Sequence, residues 1–71
     1  MYPNYEAERA RKGLTLEKIV IELEKRGIKR TVPTLSLKLN GKYSLTLNEA
    51  KALKEIVETD LPIDVLFEEA S

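Results

Sequence analysis

The chain predicts an all-α fold, a compact bundle of five short helices. Three observations carry that reading. Apolar residues recur at spacings of three and four through most of the length. Capping residues stand just before these stripes, and turn-forming residues stand just after them. The stretch Leu35-Ser36-Leu37-Lys38-Leu39 does alternate, but no partner strand is in view, and an isolated strand does not hold.

The first helix is expected over about residues 5–12, with Asn4 as its N-cap and Gly13 as its stop. The second covers about 16–26, behind the cap Thr15 and before Gly27. Its Leu16, Ile19, Val20 and Leu23 fall on one face of the helical wheel. The third covers about 32–39. Thr31 caps it, and Pro33 sits in the first turn, where its missing N–H costs nothing. Leu35 and Leu39 point inward, and Asn40-Gly41 ends the helix. Thr46-Leu47-Asn48-Glu49 has the form of a capping box and opens a fourth helix, about 47–58, which buries Ala50, Leu53, Ile56 and Val57. A fifth helix, about 62–69, follows Asp60-Leu61-Pro62 and turns Ile63, Leu66 and Phe67 inward. Tyr2, Tyr5 and Tyr43 read as packing residues at the edge of the domain, with Tyr43 also in reach of a phosphate.

Seventy-one residues make one domain. A chain of this size buries about 60% of the surface its unfolded form exposes, so a stability of roughly 4–10 kcal/mol is expected. There is no cysteine and hence no disulfide, which fits a reducing cytoplasm. No apolar run approaches the ~18 residues of a membrane span, and the opening Met1-Tyr2-Pro3-Asn4 does not read as a signal peptide. With neither histidine nor cysteine, acid–base and nucleophilic catalysis lack their usual side chains. Glu68-Glu69 reads as a solvated acidic tail. No enzyme activity, metal or cofactor is expected.

Net charge is zero, but it is unevenly spread. Residues 1–42 hold ten Lys/Arg and five Glu, a balance of +5; residues 43–71 hold two Lys and seven Asp/Glu, a balance of −5. Between residues 25 and 42 stand Lys25, Arg26, Lys29, Arg30, Lys38 and Lys42, with no acid among them. This basic run falls at the joint between the second and third helices. It points to an anionic partner and to gene regulation rather than catalysis.

Three segments carry a resemblance: Glu8-Arg9-Ala10-Arg11-Lys12-Gly13-Leu14-Thr15, then Thr34-Leu35-Ser36-Leu37-Lys38-Leu39-Asn40-Gly41-Lys42, then Pro62-Ile63-Asp64-Val65-Leu66-Phe67. In this order and spacing the chain resembles the phage repressor/Cro-like (XRE-type) helix-turn-helix regulators, the class of the lambda repressor and Cro. More loosely, it is similar to the short modulators of repression, or antirepressors, of temperate phages of Gram-positive bacteria. The resemblance implies a lambda-repressor-like domain in the cytoplasm of a bacterial host. Its third helix would be docked in the major groove or against a partner. Carried onto this chain, the contacting face is Val32, Pro33, Thr34, Ser36 and Leu37, with Lys38 beside them. Thr15, Lys29, Arg30, Asn40 and Lys42 are the phosphate- or acid-contacting residues.

Two departures stand out. The family usually has glutamine where this chain has Leu16, and leucine cannot donate to a phosphate oxygen. Base edges are told apart by paired donors and acceptors, yet Val32, Pro33 and Leu37 carry no donor. The connection leading into the third helix is also about two residues longer than usual. Ile21 lies opposite the buried stripe of its helix, and Leu37 lies opposite Leu35 and Leu39. Leu16 and Ile21 are thus further candidate protein contacts, and Leu61 and Val65 are candidate homodimer contacts.

Two readings stand close together. In one, the chain is a Cro-like repressor binding double-stranded operator DNA directly as a dimer. In the other, it is a modulator that binds a partner phage repressor protein through the third helix, alone or together with DNA. The basic run favours the first, and the apolar reading positions favour the second. The likeness to phage modulators tips the expectation to the second. A third reading is the antitoxin of a toxin–antitoxin pair.

Overall fold

Helix α1 (Pro3–Lys12) starts two residues earlier than expected. Pro3 occupies the first turn, where its fixed φ is already helical and its missing N–H leaves nothing unpaired. Asn4 is therefore not the N-cap. It lies inside α1 and its Nδ2 donates to the Val65 carbonyl at 2.8 Å, tying the first helix to the last. The computed structural model describes residues 1–69, and all of its regular elements there are helical.

Helix α2 (Leu16–Lys25) begins at the expected cap, with Thr15 Oγ1 accepting the Lys18 N–H at 3.2 Å. It ends in two crossed backbone bonds: Gly27 N–H donates to the Glu24 carbonyl, and Ile28 N–H to that of Leu23. That pattern needs a left-handed residue, and Gly27 has φ +80°. Ile28 is thereby folded back onto the core.

Helix α3 (Val32–Leu39) has the expected bounds and is not a strand. Thr31 Oγ1 accepts the Thr34 N–H. Gly41, at φ +81°, closes the helix as Gly27 closes α2. A Cβ there would also stand 3.0 Å from the Met1 nitrogen, so two independent constraints call for glycine.

Helix α4 (Leu47–Val57) opens in a complete capping box. Thr46 Oγ1 accepts the Glu49 N–H at 3.1 Å, and Glu49 Oε1 accepts the Thr46 N–H at 2.8 Å. It stops one residue short of expectation because Glu58 takes a left-handed conformation, φ +52°. Helix α5 (Ile63–Leu66) is a single turn rather than the expected span of 62–69. Phe67 leaves helical geometry with its ring edge-on to Tyr2 (centroids 5.5 Å apart) and stacked on Tyr5 at 5.2 Å. These aromatic contacts replace further helical turns.

Every helix contributes to the core. Tyr5, Ile19, Leu23, Leu35, Leu53, Val57 and Leu66 are all but completely buried. Tyr5 thus sits at the centre of the molecule and not at its edge, while Tyr43 is exposed and packs little. The expected stripe of α4 is buried throughout, with Ala52 added to it. On α2, Ile19 and Leu23 are buried, and Leu16 and Val20 pack half-buried against them. The radius of gyration, 10.9 Å, matches the value of about 11 Å for one compact body of this length. Helix α4 packs against α1, α2 and α5, while α3 packs on α2.

Candidate interaction face on the third helix

Leu35 and Leu39 fix the rotation of α3. At 100° per residue, burying these two turns Pro33 and Leu37 to the far side. The structure follows this: Leu35 and Leu39 are buried, Pro33 is exposed, and Leu37 is 38% exposed. Val32, Thr34 and Ser36 form half-buried flanks. The Thr34 hydroxyl accepts from the Thr31 hydroxyl at 3.0 Å, so the head of α3 is tied to its own cap.

The cations around this face behave differently from the sequence expectation. Lys38 does not extend outward. Its Nζ donates to Glu49 Oε1 at 3.0 Å and to the Ser44 carbonyl at 3.2 Å, leaving the side chain 14% exposed. Arg30 reaches the same carboxylate, with Nε donating to Glu49 Oε2 at 2.7 Å, and its Nη1 donates to the Lys29 carbonyl. Glu49 is buried and receives the Thr46 N–H as well. Burial alone would raise the pKa of this carboxyl. The Thr46 N–H, then Arg30 and Lys38, outweigh that and hold it near about 2. Glu49 is therefore an anion at any ordinary pH, with two cations folded onto it.

The remaining cations are also partly matched. Lys25 pairs with Glu22 at 2.9 Å, and Arg26 bridges Glu22 and Glu55. Four of the six cations in the basic run thus have acidic partners, which weakens its outward field. Lys29 and Lys42 are exposed and join no ion pair among the described residues. A depression of about 270 Å³ lined by Lys29, Arg30, Thr31 and Thr34 opens at the head of α3.

The other candidate residues scatter. Thr15 is exposed, but its hydroxyl oxygen caps α2. Asn40 is exposed at the C-cap of α3. Leu16 is half-buried and packs against the core. Ile21 is 53% exposed but opens onto a separate depression with Leu14, Lys18 and Ile56, so α2 does not bring it to the α3 face. Leu61 is half-buried against the core, and Val65 is 37% exposed. Among the described residues no group of His, Cys, Asp or Glu forms a metal cluster, and no helix is long and apolar enough to cross a membrane.

Two residues escaped the sequence reading. Leu47 is 62% exposed on the rim of a groove of about 450 Å³ that Tyr2, Leu45 and Phe67 also line. Glu49 was visible as a cap, and nothing local in the sequence links it to Arg30 and Lys38. A comparison of the chain with known protein families, with curated proteins and with solved structures finds no match.

Proposed function

We propose that this chain is a small transcription regulator of the phage helix-turn-helix type that acts by binding a partner repressor through the outward face of α3. One observation supports this over direct operator reading. The exposed centre of α3 is Pro33 and Leu37, while the cation next to them, Lys38, is folded onto Glu49. A base-reading surface needs donors aimed outward. An apolar centre with a polar rim is the composition of a protein–protein contact.

Direct duplex binding is the second reading, and Lys29 and Lys42 support it. Both are exposed, and together they suit phosphate contact without base readout. A complex in which partner and DNA are held together uses both features.

The test is to mix the protein with phage-type repressors encoded in the same genome and look for a one-to-one complex by size exclusion. Leu37→Asp places a charge at the middle of the proposed contact. It is expected to weaken the complex by about 100-fold or more, the effect of losing a central anchor. Because Leu37 faces outward, the fold should be unchanged by circular dichroism. A complex that survives Leu37→Asp intact removes α3 as the contact face. Titration of the protein on its own promoter region, against random duplex, checks the second reading.

A further inference from the structure

The geometry points to Glu49 as the residue that sets partner preference at this face, by withholding Arg30 and Lys38 from nucleic acid. Arg30 stands just before α3 and Lys38 lies in its last turn, where a duplex-binding protein would extend them to phosphates. Here both end on one carboxylate that is itself 3% exposed, at 2.7 and 3.0 Å. The carboxylate cannot swing away, since its Oε1 also accepts the Thr46 N–H that starts α4. Neutralisation is therefore built into the helix cap. The three groups sum to +1 where the two cations alone would give +2. Phosphate contact scales with the number of cations free to displace counterions, so affinity for duplex should be low and weakly salt-dependent. The surface left for docking is then Pro33 and Leu37 with a reduced positive rim. This rests on the α3 face being the working face.

The test is fluorescence titration of a labelled random-sequence duplex with the wild type, Glu49→Gln and Glu8→Gln, across about 50 to 200 mM salt. Glutamine keeps an acceptor for the Thr46 N–H but removes the charge. Glu8→Gln makes the same change in net charge at an ion pair on α1, which Glu8 forms with Arg11. Glu49→Gln is expected to bind about fivefold to tenfold tighter at the low-salt end. Its log–log salt slope should steepen by about one to two relative to wild type. Glu8→Gln should leave both nearly unchanged. Equal effects from the two variants, or no effect from a folded Glu49→Gln, would overturn the inference.

A second measurement needs no variant. Lysine acylation of the wild type, read by mass spectrometry, should proceed about tenfold slower at Lys38 than at Lys29 or Lys42, because the Lys38 side chain is largely buried and its amine is held by Glu49 and the Ser44 carbonyl, out of reach of the reagent. Added duplex should protect Lys29 and Lys42 and leave Lys38 as it was. Lys38 reacting as fast as Lys29 in the free protein would sink the proposal. Loss of the repressor complex would discard the partner reading while leaving these duplex and acylation results standing.

Discussion

Replacing Glu49 by alanine is expected to remove about 3–5 kcal/mol of stability, a large share of the roughly 4–10 kcal/mol available to a chain of this size. Three losses add up. The Thr46 N–H loses its acceptor, and with it half of the capping box, at about 1 kcal/mol. Arg30 and Lys38, at 31% and 14% side-chain exposure, lose the anion that balanced them. Lys38 suffers more, being the more deeply held of the two. The acid limb of the stability profile should carry the same signature. The Glu49 carboxyl lies near about 2 in the folded chain against an ordinary 4.5. Its folded pKa is depressed, so its contribution is fully present above pH 4.5 and is lost as pH falls from there towards 2. At about 1.36 kcal/mol per unit, the loss is on the order of 3 kcal/mol. Urea denaturation at pH 6, 4 and 2.5 measures it. Wild type should weaken steeply across that series, and Glu49→Gln should show a flatter decline. Parallel declines for the two proteins would show that the buried ion cluster is not what the acid disrupts.

Tyr5→Ala should cost about 3–5 kcal/mol, whereas Tyr5→Phe should cost about 1 kcal/mol or less. The ring is fully buried, stacks on Phe67, and joins α1 to α4 and the short α5. Alanine leaves a ring-sized void where the first and last helices meet. The hydroxyl matters less, because its bond to the Leu53 carbonyl is long, at 3.3 Å. Urea midpoints of the two variants separate packing from hydrogen bonding. A Tyr5→Phe loss as large as that of Tyr5→Ala would put the weight on the polar contact instead. Burial also pushes the Tyr5 hydroxyl well above its usual 10.0. The contribution of Tyr5 is therefore fully present below pH 10 and declines as pH rises past it, since the unfolded tyrosine ionises first.

The helix pattern was legible because its causes are local. Thr15, Thr31 and Thr46 each cap the helix they precede, and Gly13, Gly27 and Gly41 each take the left-handed turn that ends one. Each cap and each stop is set by bonds that reach no more than five residues along the chain. The errors lie where long-range contacts override local preference. Asn4 had the composition of a cap, but Pro3 starts the helix sooner and Asn4 bonds to Val65, 61 residues away. The fifth helix had enough apolar residues for two turns, but Phe67 turns aside to pack against Tyr2 and Tyr5. Glu58 halts α4 in a conformation that glutamate seldom adopts, and its sequence carries no sign of it.

By itself, then, the amino-acid order determined the number of helices, the caps and inward residues of α2, α3 and α4, and the outward placement of Leu37 opposite Leu35 and Leu39. Periodicity is enough for that, because which side of a helix is buried follows from spacing alone. Tertiary structure decided the charge of the α3 surface. A row of Lys and Arg reads as a positive patch until the fold shows where each side chain ends. Arg30 and Lys38 end on an acid 19 and 11 residues further along the chain. Electrostatic pairing depends on distance in space, and that distance exists only once the fold brings Glu49, in the first turn of α4, within reach of Arg30 and Lys38.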